Sequence, residues 1–253
     1  DNENILHLLG FNDMGGLTDD DSLNCISLLK KLERKNQQRE LIRQLLNRST
    51  ISTNETPLFY AVSANRLNLV KFFLRRGNTA SANAQNIGGN TPIHFAVKRG
   101  NRAMVDLLIR KEAKINQTNK EGFTPLHYCC ATTHTAVADR LLKKLKPVDL
   151  SAVTIEGLST LHLAAQAGNL HLVQKLVEKT LKKDGTSTLL QLKTQHNNTA
   201  LIYAMSNNHS KVASYLAKRQ AFERSENDVT DRVEFRKEPF PHIYPVINHD
   251  SIT

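Results

Sequence analysis

The sequence predicts an all-α solenoid of stacked helix-turn-helix units, and two observations carry that prediction. The first is a stretch that recurs. Asn90-Thr91-Pro92-Ile93-His94-Phe95-Ala96-Val97 is followed by the apolar run Met104-Val105-Asp106-Leu107-Leu108-Ile109. It returns as Phe123-Thr124-Pro125-Leu126-His127-Tyr128-Cys129-Cys130, and again as Leu158-Ser159-Thr160-Leu161-His162-Leu163-Ala164-Ala165, each with its own aliphatic run behind it. The second observation is that each copy carries the signals of two helices. Thr56, Thr91 and Thr124 stand directly before a proline. There a hydroxyl can cap free amides, and the proline takes the first helical position, where no amide hydrogen is missed. The second helix has aliphatic residues three and four apart, as in Leu69, Val70, Phe73 and Leu74, which is the stripe of an amphipathic helix. No single unit can bury that stripe alone, so neighbours must stack.

This stretch resembles the ankyrin repeat, whose signature is a turn, then Thr-Pro-Leu-His-x-Ala-Ala opening one helix, then a second helix rich in Leu and Val. Aligned on the motif leucine, the copies fall at Leu58, Ile93, Leu126, Leu161 and Leu201, in steps of 35, 33, 35 and 40 residues. The family's period is about 33. The resemblance covers at least residues 52 to 219. It implies about five ankyrin repeats over residues 51–222, between an irregular helical N-terminal cap over 1–50 and an extended, Pro-rich C-terminal tail over 223–253.

In the cap, Asn4-Ile5-Leu6-His7-Leu8-Leu9 reads as a degenerate repeat opening, and Asp19-Asp20-Asp21-Ser22 as a helix start with acidic groups at the positive end of the dipole. Residues 22 to 34 and 37 to 47 each show a helical stripe, one helix more than a single repeat needs. Either a helix is inserted there or a second repeat has lost its signature. The repeats then follow from about 52 and 85 onward. The fourth lacks the motif proline, with Thr160 in its place, and the fifth lacks both proline and histidine. The longer step into the fifth places extra residues around Leu181 to Leu192, with a turn at Asp184-Gly185. In the tail, Pro239, Pro241 and Pro245 enforce an extended chain. It is a linker or strap over the last repeat, or a docking peptide anchored by Phe240, Ile243 and Tyr244.

Hydrophobic residues make up 40% of the chain, enough for a continuous core, and the 3 cysteines (Cys25, Cys129 and Cys130) do not make a disulfide framework. A reducing compartment, the cytoplasm, is the expectation. No apolar stretch reaches the roughly 18 residues needed to cross a membrane, so no transmembrane segment is expected. Lys and Arg exceed Asp and Glu by 10. Many of these cations stand at helix C-termini, where they offset the dipole. The remainder favour a protein partner with an acidic surface and, less strongly, an acidic lipid or nucleic acid. The lack of Trp and the low aromatic content argue against a single-strand stacking platform. The Asn- and Lys-rich composition around such repeats is also similar to ankyrin effectors that intracellular bacteria export into the host cytosol.

Nothing in the sequence points to catalysis. His127, Cys129, Cys130 and His134 mix thiols with imidazoles, but the resemblance makes His127 the motif histidine, which ties one repeat to the next. Cys129 and Cys130 fill the places of the motif's two small alanines, buried and inert. No nucleotide loop, nucleophile elbow or zinc-protease motif appears. The expectation is a non-enzyme with no cofactor and no metal.

What the resemblance implies instead is a monomeric binding scaffold or adaptor whose concave face is lined by the loop tips and the last turn of each first helix. Carried over position by position, the partner-binding residues are Glu55, Asn90, Lys98 and Arg99, then Glu121, Phe123, Thr132 and Glu156, and finally Leu158, Gln166, His196 and Asn198. Phe123 and Leu158 stand out as apolar groups on loop tips. They either face a partner beside Lys98 and Arg99, or pack against each other between adjacent loops. A basic module docking acidic lipid or nucleic acid, and a targeting arm of a larger enzyme or ligase, are the alternative readings.

Overall fold

The computed structural model describes residues 49–76, 82–132, 134–181 and 187–227, with four isolated positions before them. Those four, Ser27, Lys31, Gln44 and Asn47, are helical. The rest of the expected cap, the Asp184-Gly185 turn and the tail from residue 228 lie outside the described residues.

Five helix pairs follow one another. They are α1 (Pro57–Ser63) with α2 (Leu67–Arg76), α3 (Pro92–Lys98) with α4 (Arg102–Arg110), and α5 (Pro125–Thr132) with α6 (Thr135–Leu142). After these come α7 (Thr160–Gln166) with α8 (Leu170–Thr180), and α9 (Ala200–Ser206) with α10 (Ser210–Asn227). The odd-numbered helices form the inner row and the even-numbered ones the outer row. No strand occurs among the described residues beyond the isolated bridges Val153–Ser159 and Leu181–Ser187. The extra residues of the longer step form that second bridge and a 3-10 turn over Thr188–Gln191, which buries Leu189 and Leu190. The last helix runs to Asn227, past the expected repeat boundary at 222. No Gly or Pro interrupts residues 210–227, and Ala221, Glu223 and Arg224 are good helix formers.

One apolar cluster runs through the whole stack, because the stripe of each outer helix meets its own inner helix and the next pair. Leu69, Val70, Phe73 and Leu74 are buried in the first repeat, and Leu172, Val173, Leu176 and Val177 in the fourth. The paired small residues Cys129 with Cys130 and Ala164 with Ala165 are fully buried, letting the inner helices approach closely.

The inner helices start as the motif requires in part: the hydroxyls of Thr124 and Ser159 cap an amide, whereas those of Thr56, Thr91 and Thr199 do not. In repeats two to four the motif histidine stands at the third helical position. Its Nδ1 accepts the backbone N–H of Thr91 at 3.0 Å, of Thr124 at 3.1 Å and of Ser159 at 3.2 Å. In repeat one Phe59 takes the histidine's place, and the Thr56 hydroxyl is buried without a hydrogen-bond partner. The expected Thr56 cap is therefore not made, since its usual imidazole partner is a phenyl ring. The outer helices of repeats two and four start at Asn101 and Asn169, whose side chains accept the N–H of Met104 and Leu172.

Candidate concave binding face

The loop before each inner helix is a short hairpin closed by its own residues. The Asn119 side-chain oxygen accepts the N–H groups of Glu121 and Phe123, and the Asn86 oxygen those of Gly88 and Asn90. Thr154 and Thr194 accept one amide each, from Leu158 and Asn198. Adjacent loops are joined by backbone bonds: Ile87 donates to Thr53, Lys120 to Gly88, Ile155 to Glu121 and Gln195 to Glu156. The loops therefore form a ladder along one edge of the stack. Gly122 holds φ at +84°, and a Cβ there would lie 2.8 Å from the Thr154 Cα, so the rung admits no side chain.

Behind the ladder, histidines tie the repeats in both directions. With Nδ1 accepting, a neutral imidazole carries its proton on Nε2. His94 Nε2 donates to the Phe123 carbonyl at 3.2 Å, and His162 Nε2 to the Asn198 carbonyl at 3.1 Å. His127 lies close to the Leu158 carbonyl, yet its buried Nε2 has no partner in hydrogen-bonding geometry. Burial holds all three rings down to about 4, so they are neutral at neutral pH. A second pair, not expected as bridges from the sequence, points the other way. His134 and His209 open outer helices and contact the Lys98 and Gln166 carbonyls of the preceding repeat at 3.2 and 2.9 Å.

An aromatic stripe lies under the loops on the inner helices. The residue after the motif histidine is Tyr60, Phe95, Tyr128, Leu163 and Tyr203 in successive repeats. Each of three rings packs edge-on against the motif position of the repeat before: Phe95 on Phe59, Tyr128 on His94 and Tyr203 on His162. The Tyr128 hydroxyl accepts from Asn119 at 3.2 Å and lies 3.4 Å from the Asn90 oxygen. Burial, with the nearby Glu121 charge, pushes its pKa up to about 12.

Of the twelve residues expected to bind a partner, the structure brings four together. Glu55, Asn90, Lys98 and Glu121 line a groove of about 350 Å³ across the first three loops, with Phe95 and Tyr128 among its walls. Burial and the neighbouring Arg99 hold the Lys98 amine below its ordinary range. Arg99, Glu156 and His196 are exposed, and Gln166 is half-buried. The Thr132 hydroxyl donates to the Tyr128 carbonyl of its own helix.

Three expectations change. Leu158 is only 5% exposed and belongs to the core. Phe123 is half-buried, stacked on Tyr128 at 5.3 Å and edge-on to His127. Asn198 is 3% exposed. The reason is common to all three: the residue after the left-handed turn position returns its carbonyl to the start of the hairpin. Thr154 N–H bonds Leu158 O, Asn119 N–H bonds Phe123 O and Thr194 N–H bonds Asn198 O. This closure turns the residue back toward the helices, as it does Asn90, whose carbonyl accepts the Asn86 N–H. The exposed apolar groups on the tips are Ile51, Ile87 and Ile155, at 85%, 56% and 65%. Their signal was an isoleucine two residues before the turn glycine in both 87–89 and 155–157. Among the described residues no group of three or more His, Cys, Asp or Glu could hold a metal. Burial raises both thiols, Cys129 and Cys130, and His134 is turned to the Lys98 carbonyl, so the four-residue cluster does not converge.

A family model described as ankyrin repeats (3 copies) matches residues 22–119, 63–152 and 134–230. Among curated proteins, the ANK repeat-containing protein nipk-1 of Caenorhabditis elegans is 31% identical over 86 residues, 31% of this chain and 14% of that protein. The chain thus spans 14% of the length of this relative. No described helix is long and apolar enough to cross a membrane. The matches to the family model together cover residues 22–230, more than half of the chain, and the chain belongs to the ankyrin-repeat family.

Proposed function

We propose that the chain is a non-catalytic adaptor, a cytoplasmic monomer that holds a protein partner on its concave ankyrin face. The observation that carries this reading is the groove over the first three loops, where Glu55, Asn90, Lys98 and Glu121 surround the rings of Phe95 and Tyr128. Half-exposed polar groups around an aromatic surface suit a protein side chain. Ankyrin repeats are in general protein-interaction modules, which supports the same reading. Lys98 and Arg99, at the inner end, are where an acidic partner surface would meet the face. Export into a host cytosol rests on composition alone.

The test is capture from cell lysate at two salt concentrations, comparing the native chain with a Lys98→Glu, Glu121→Lys variant. A protein retained at both salts and lost with the variant is the expected outcome. The alternative of docking to acidic lipid or nucleic acid draws on the exposed Lys143, Lys144 and Lys146 beyond α6. Retention of RNA or lipid alone, vanishing at high salt, would move the function there. The third reading, a targeting arm of a larger enzyme or ligase, draws on the small share of the nematode relative that the chain spans.

A further inference from the structure

The charges on the loop tips run against those of the chain. Across residues 51–55, 86–90, 119–123, 154–158 and 194–198 stand three carboxylates, Glu55, Glu121 and Glu156, and one ammonium, Lys120, in a chain of net charge +10. Glu121 and Glu156 are exposed and occupy the same position on adjacent loops, each directly before the turn glycine. One residue earlier, Ile87 and Ile155 stand equivalent to each other, both exposed and both bonded through their amides to the loop before, with the exposed Lys120 in the same place on the loop between them. The edge of the ladder therefore offers acidic groups beside aliphatic ones. Behind it, Phe95 and Tyr128 line the groove that Glu55 and Glu121 flank. Carboxylates around aromatic faces suit a guanidinium or ammonium group, which gains from both.

We propose that these tips bind an extended, basic segment of the partner protein, lying across the loops with Lys or Arg on Glu121 and Glu156 and aliphatic side chains against Ile87 and Ile155. This rests on the adaptor reading, in which an acidic surface of the same partner meets Lys98 and Arg99 at the inner end, and names the chemistry of the segment on the tips. The spacing follows from the fold. Packed helices, and so the loops they carry, lie roughly 10 Å apart, while an extended chain rises about 3.3 Å per residue. Basic residues three apart meet Glu121 and Glu156, and aliphatic ones about six apart meet the two isoleucines. An acidic segment would face the carboxylates of three loops, with Lys120 as the one cation among these tips and Lys98 and Arg99 behind them.

The test is selection of random 12-residue displayed peptides on the full chain, followed by fluorescence anisotropy of the enriched peptides. The expected result is enrichment of Lys or Arg pairs three residues apart. Glu121→Lys with Glu156→Lys should weaken the enriched peptide by about ten-fold or more, while Lys98→Glu with Arg99→Glu weakens it less than about two-fold. Both carboxylates are exposed, and Glu121→Gln with Glu156→Gln serves if the reversed pair lowers the melting temperature. Enrichment of acidic peptides, or of peptides lost only with the Lys98 and Arg99 pair, would overturn the basic segment while leaving the concave face as the site. Peptides indifferent to both pairs, or no enrichment at all, would overturn the basic segment, and the lysate capture then decides separately whether the adaptor reading survives.

Discussion

Tyr128 stands edge-on to His94 of the preceding repeat, ring centroids 5.9 Å apart and planes at 87°, while its hydroxyl joins Asn119 and Asn90. One side chain thus connects the aromatic stripe, the loop ladder and the motif histidine. Tyr128→Phe keeps the ring contact and removes the hydroxyl from a buried network. A loss of about 1 kcal/mol is expected from urea denaturation. No loss would mean that the Asn90 and Asn119 amides satisfy each other without it.

Leu158 and Ile155 lie three residues apart with opposite environments. Leu158→Ala should cost about 2–5 kcal/mol, and Leu158→Asp should prevent cooperative folding. Ile155→Ser, on an exposed tip, should change stability by less than about 0.5 kcal/mol. Melting curves of the three variants check the assignment.

Gly122 combines a left-handed backbone with a neighbouring loop at contact distance. Gly122→Ala should destabilise by about 1–3 kcal/mol from backbone strain, and by more if the Thr154 loop is displaced. Asn197 adopts φ +62° in the last described loop and already carries a side chain. Asn197→Gly should therefore shift stability by less than about 1 kcal/mol. Equal effects of the two would contradict the close approach.

The buried histidines predict a pH dependence. His94, His127 and His162 stay neutral in the fold down to about 4, whereas an unfolded imidazole takes up its proton near the ordinary value of 6.5. Between those values the unfolded state binds more protons. Stability is fully present above about 6.5 and is lost as pH falls toward 4, by up to about 1.4 kcal/mol per pH unit for each ring. Urea midpoints at pH 7.5, 6 and 5 should decline in that order, and a flat profile would exclude the assigned protonation.

The fold was legible because the Thr-Pro-Leu-His pattern states a helix start within four residues and recurs with a second apolar helix behind it at a near-constant step. The candidate face was legible by position only. Glu55, Asn90, Lys98 and Glu121 could be placed by counting from the motif, and they share a groove. Phe123 and Leu158 were misread because exposure on a hairpin depends on which residue returns its carbonyl to close the turn, and apolar character alone does not say. The alternative was that the two pack against each other between adjacent loops; the structure places Phe123 on Tyr128 and Leu158 in the core. The aromatic stripe had a signal in the sequence, an aromatic residue two positions after the motif leucine in four of the five repeats. His134 and His209 had none of comparable strength, since only the stacked fold brings them to a carbonyl some forty residues back.

The alternation of histidine bridges gives the stack an uneven stiffness. Repeats two and three are fastened by His94 from one side and His134 from the other, and repeats four and five by His162 and His209. Two seams lack this pair of bridges. Between repeats one and two Phe59 stands at the motif position and Asn101 opens the outer helix. Between repeats three and four His127 Nε2 lies near the Leu158 carbonyl without hydrogen-bonding geometry, and Asn169 opens the outer helix. Across the latter seam, on the outer side, Lys175 and His171 meet Asp139 at 2.7 and 3.3 Å. Bonds to carbonyls ignore dissolved ions, whereas exposed charge pairs weaken as ions accumulate. Among the described seams, the one between repeats three and four therefore leans on charge pairs at its outer side, and the curvature that a partner meets there should relax as ionic strength rises.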